Sequence, residues 1–138
     1  MNEIIQLKIT LERTEPPIWR RILVHKDTTF LDLHHIIQIA MGWWNYHMFE
    51  FRLREHFFGI PHPDFENMDT VDYAGDFSLE MIFSEGEKFL YEYDFGDGWI
   101  HLVEAEKFLP KEAGKKYPVC IDGRLNCPHE DCGGIITY

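Results

Sequence analysis

The chain has 138 residues, 45% of them hydrophobic and 15% aromatic, enough apolar material for a packed core and too much for a disordered chain. Twenty-four Asp plus Glu against 13 Lys plus Arg give a formal charge of −11, which argues against direct nucleic-acid binding because such binding leans on cations facing phosphate. No apolar run reaches membrane-spanning length, and "MNEIIQLKIT" lacks the basic-then-apolar order of an export signal, so a cytoplasmic protein with no membrane association is expected.

The first run, Ile5, Leu7, Ile9 and Leu11, alternates with Gln6, Lys8 and Thr10, the period of a half-buried strand. "TEPP" breaks it, and Ile18 to Val24 reads as an antiparallel return strand. At "TTFLDLHHIIQIAMG" the period changes: Phe30, Leu33, Ile37 and Met41 share one helical stripe, Thr29 can cap its start and Gly42 its end. His34 and His35 on this helix are read as packed or solvent-facing rings rather than ligands. His47, Phe49, Phe51 and Leu53 then alternate as a third strand. Glu55 to Asp76, with Gly59, Pro61 and Pro63, shows no sustained period and reads as an irregular excursion. Ser78 can open a short helical turn through Phe83. Phe89, Tyr91 and Tyr93 mark a fourth strand, and Trp99, His101, Val103 and Ala105 a fifth. The fold expected from this order is α+β: a single mixed or antiparallel sheet of about five strands with one main helix packed across it, forming one domain over residues 1–138.

"YEYDFGDGWIH", residues 91–101, lies at the tip of the last hairpin. Gly96, Asp97 and Gly98 suit a tight turn without any function. That does not explain Trp99 and His101, which share a strand face leading back to Asp94 and Asp97. Two carboxylates and an imidazole so close together suit a divalent metal or acid–base work, so Asp94, Asp97 and His101 are candidate metal ligands. A second cluster, "CIDGRLNCPHEDCGG", offers Cys120, Cys127, His129 and Cys132, but its six- and four-residue gaps are poor for a structural zinc site. Three cysteines without an export signal also argue against a disulfide framework. Glu130 and Asp131 in this cluster could join the hairpin tip, and Trp43 and His47 leave the helix as candidate contact residues.

The motifs "PPIWRRILV", "IIQIAMGWWNYHMFEFRL", "YEYDFGDGWIHLVEAEKFLP" and "YPVCIDGRLNCPHEDCGG", in that order, resemble the plasmid pRiA4b ORF-3-like protein family from about Leu7 to Gly134. The family pattern matches Trp19, Arg20, Arg21, Gly42, Trp43 and His47, then Asp94, Phe95, Gly96, Asp97, Trp99 and His101, and finally Pro128, Glu130, Asp131, Gly133 and Gly134. Phe49 stands where relatives often carry a second histidine, and relatives commonly run on past the double glycine into an acidic helical segment. The resemblance implies no established activity. The function expected is therefore a small binding or interaction module with its site at the hairpin tip and the "CPHEDCGG" turn. The alternative is a metal-dependent hydrolase-like enzyme with Glu130 or Asp131 as base. A mobile-element-associated nucleic-acid processing role ranks third, because the only serines, Ser78 and Ser84, lie outside any arginine-rich neighbourhood.

Overall fold

The computed structural model describes residues 3–14, 16–43, 48–54, 56–60, 71–82, 84–95 and 98–124. Their alternating runs become β1 (Ile4–Leu11), β2 (Ile18–His25), β3 (Phe49–Leu53), β6 (Lys88–Tyr93) and β7 (Trp99–Leu109). Three further strands are β4 (His56–Gly59), β5 (Asp72–Tyr73) and β8 (Val119–Arg124). The expected five-stranded α+β arrangement is thereby overturned. The described residues are mostly sheet, one mixed sheet of eight strands in the order β5-β4-β3-β6-β7-β1-β2-β8, with one main helix among them. Only the β4–β5 pair is parallel among these strands.

The physical reason for the discrepancy lies in the three added strands. β4 has four residues and β5 two, too short to show a period. β8 is exposed at all six positions, so no apolar alternation marks it.

The main helix, α1 (Phe30–Met41), begins where Thr29 accepts a hydrogen bond from the Asp32 amide at 3.0 Å. It ends at Gly42, whose φ of 80° is the left-handed conformation that glycine adopts without strain. A shorter helix, α2 (Leu79–Ile82), lies beyond a 3-10 turn at Ala74–Asp76. Phe30 anchors α1 to the sheet, stacked on Phe58 at 4.6 Å, tilted against Phe51 and edge-on to Phe89. The same sheet face presents Ile5, Leu7, Ile9, Ile22, Val24, Tyr91 and Val103, all buried in one cluster with the helix.

The opposite face carries the alternate side chains of the same strands. Here Arg21 bonds both oxygens of Glu106, at 2.7 and 3.0 Å, and Gln6 donates to the same carboxylate. Arg52 reaches Glu92 and Glu50, while Trp19 lies under Lys8 and Arg21, each 5.0 Å from its ring.

Candidate functional site

Helix α1 delivers the first component. After Gly42 turns the chain, the Trp43 amide donates to Gln38 O at 2.9 Å, so the chain folds back over the last turn. The Trp43 indole then lies on the sheet, stacked on Tyr93 at 5.3 Å, 5.7 Å from Trp99 and edge-on to His101 at 5.3 Å. Strands β6 and β7 supply the other rings: their register pairs Tyr93 with Trp99 and Tyr91 with His101. Trp99, Tyr91, Tyr93 and His101 are fully buried.

The loop joining these strands starts at Asp94, whose φ of 59° is left-handed, a conformation that aspartate tolerates better than most residues. Its amide donates to Met48 O, its carbonyl accepts from Gly98 N, and the residue is buried. Asp97 lies outside the described residues, as do His47, Cys127, His129, Glu130, Asp131 and Cys132. Of the C-terminal cluster, only Cys120 is seen: an exposed free thiol whose Sγ donates to Asp122 O at 3.3 Å.

His101 points into the aromatic layer. Its Nδ1 lies 3.2 Å from Tyr91 O. A carbonyl only accepts, so Nδ1 carries the proton and Nε2 the lone pair of a neutral ring. Burial, partly offset by the hydrogen bond to the Tyr91 carbonyl, pushes the imidazole down to about 4. A ring held neutral in this way is no reservoir of protons at pH 7. It is instead a fixed acceptor.

Trp99 Nε1 and His101 Nε2 are both buried without a hydrogen-bond partner among the described residues. They sit two residues apart on one strand face, one a donor and the other an acceptor. Among the described residues, no three His, Cys, Asp or Glu side chains form a group that could hold a metal.

One buried polar set escaped the sequence reading. His34 Nδ1 lies 2.6 Å from Tyr91 OH, Gln38 Nε2 donates to that hydroxyl at 3.0 Å, and His34 stacks on Phe49 at 3.6 Å. The available signal was the four-residue spacing of His34 and Gln38 beside the apolar helix stripe.

The model of the family described as "Plasmid pRiA4b ORF-3-like protein" matches residues 3–138. The chain belongs to that family. A relative of this pRiA4b ORF-3-like chain, "Uncharacterized protein y4hQ" of Sinorhizobium fredii, is 37% identical over 136 residues, covering 98% of this chain and 69% of its own length. A crystal structure of a protein of unknown function, MM3350 of Methanosarcina mazei Go1, superposes with a TM-score of 0.91 at 35% identity, over all of this chain and 78% of that one. The MM3350 structure thus shares the architecture of this pRiA4b ORF-3-like chain, and neither printed description names an activity.

Proposed function

We propose that this protein is a binding module whose site lies where Trp43 closes over the hairpin end of β6 and β7. One observation carries the reading: Trp99 Nε1 and His101 Nε2, two residues apart on β7 and both beneath Trp43, are buried with no partner among the described residues. Leaving such a group unsatisfied costs about 1–3 kcal/mol, so each of the two calls for a partner. A guest offering one acceptor and one donor, such as a hydroxyl-bearing small molecule, would satisfy both. In this reading Asp94 and Asp97 form the mouth of the site, with His47, Glu130 and Asp131 as further contacts.

A second reading, a metal-dependent hydrolase-like enzyme, has one observation in its favour. A metal-binding imidazole characteristically donates its other ring nitrogen to a carbonyl or carboxylate, which is how His101 uses Nδ1. In that reading Asp94, Asp97 and His101 hold the ion and Glu130 or Asp131 serves as base. Full burial of His101 favours the binding reading.

Nitrogen NMR of the Trp99 indole and the His101 ring separates the two. The binding reading expects small hydroxyl compounds, screened with glycerol and simple sugars first, to move both signals saturably while zinc or manganese moves neither. A large zinc-dependent shift of His101 Nε2, lost on Asp94→Asn, would favour the enzyme. Both signals unmoved, with the same shifts as a ring pair bridged by a permanent water, would reject the site.

A further inference from the structure

Three strands away from that site, the sheet ends at β8. All six of its residues are exposed, and no strand lies along its outer edge among the described residues. Between this strand and the outer side of α1 runs an apolar groove of about 120 Å³, lined by Ile22, Ile36, Ile39, Ala40, Pro118 and Val119. Ile39 is 81% exposed, and Ile121 on β8 is 48% exposed. Arg20 links the two sides: its Nε donates to Ala40 O and its Nη1 to the carbonyls of Trp19 and Arg124. Helix and edge strand are thus tied together, so the groove has fixed walls.

An edge strand with open backbone groups and a neighbouring apolar groove is the surface to which an extended peptide adds as a further strand. Charge selects the peptide. Residues 111–124 hold Lys111, Lys115, Lys116 and Arg124 against Glu112 and Asp122, four cations and two carboxylates, hence +2 in a chain of −11. Both carboxylates already face cations, Glu112 with Lys115 at 2.8 Å and Asp122 with Arg21 at 3.6 Å. A second copy would bring the same +2 segment and another −11 overall, so self-pairing through β8 is disfavoured. We infer that β8 receives an acidic extended segment of a partner protein, pairing backbone to backbone and placing one aliphatic side chain in the groove beside Ile39. Alternate side chains of such a strand face the helix side, and the carboxylates between or beyond them meet Lys116 and Arg124.

The test uses a fluorescein-labelled peptide in which leucine alternates with glutamate. Its anisotropy should rise saturably on adding the protein, and the matching leucine–lysine peptide should not bind. Ile39→Glu should weaken binding about tenfold, and Lys116→Glu about threefold with a shallower salt dependence. Both positions are exposed, so each variant's melting curve should match the parent's. Methylating alternate peptide amides should abolish binding, since a strand without those donors cannot extend the sheet. Equal binding of the two peptides, or indifference to Ile39→Glu or to amide methylation, would overturn the inference. Concentration-dependent dimerisation removed by Ile39→Glu would also overturn it and assign the edge to a second copy.

Discussion

The two faces of the sheet handle polar groups in opposite ways. On the helix-covered face, His34, Gln38 and His101 are buried among rings, and each hydrogen bond there is made or missed in a dry layer. On the other face, Arg21, Glu106 and Gln6, or Arg52 and Glu92, meet in pairs that water still reaches. Neighbouring residues of one strand supply both: in β1, Ile5, Leu7 and Ile9 face the helix while Lys8 lies against Trp19 on the other side. The lesson is that polar residues carry weight according to the face they occupy. One unsatisfied nitrogen under Trp43 matters more than a complete ion pair outside.

The hardest blow to that comparison falls on the covered face. Phe30→Ala should lower stability by about 3–5 kcal/mol, read as a shift of the urea midpoint, because it removes the ring joining α1 to Phe51, Phe58 and Phe89. A loss no larger than that of an exposed substitution would mean that the helix is not what dries this face.

Acid should act next most strongly, through His101. Its folded value is about 4 and its ordinary one 6.5, so between those limits the unfolded chain binds the extra proton and stability falls as pH drops. The shift corresponds to roughly 3 kcal/mol, complete by the lower limit and absent above the upper one. Comparing urea midpoints of the parent and His101→Phe across this window isolates the effect, and the variant should have the shallower slope. Parallel slopes would remove His101 from the dry layer.

A milder change sharpens the comparison by loosening the cover without touching the rings. Thr29→Ala deletes the cap on the Asp32 amide and should cost about 1 kcal/mol by thermal melting. The smallest effect belongs to the open face. Glu106→Gln should cost less than about 1 kcal/mol in urea, and less again in high salt. Arg21 holds the Glu106 carboxyl below its ordinary range, so this contribution is present at neutral pH and fades on acidification.

The legible parts of the fold are those where a side-chain period lasts long enough to see. Ile5 to Leu11, and Phe89 to Tyr93 with Trp99 to Ala105, repeat every second residue because one face of each is buried. Thr29, Asp32 and Gly42 marked the ends of α1 because caps are local chemistry. β8 was hidden because "VCIDGR" buries nothing and contains a turn-like Asp-Gly pair. β4 follows Arg54, a left-handed residue at φ 55° that reads as an ordinary strand position. The candidate site was legible as a pairing of Trp99 with His101 on one face. Which way that face looks was written in the same period, since Phe89, Tyr91, Val103 and Ala105 are its neighbours, but the hydrogen bond that fixes the His101 tautomer comes from Tyr91 on the β6 partner strand.

The place of β1 in the sheet has a consequence for how the chain is made. Although it is made before every other strand of this sheet, β1 lies between β2 and β7, with Leu11 opposite His101. β7 also pairs with β6, so it is the strand that joins the two halves of the sheet. Until it has been synthesised, β1 has one bare edge and its buried-to-be isoleucines lack their neighbours. Assembly must therefore wait for a late, long-range closure, the kind of contact that slows folding and lengthens exposure to chaperones and to stray strand pairing.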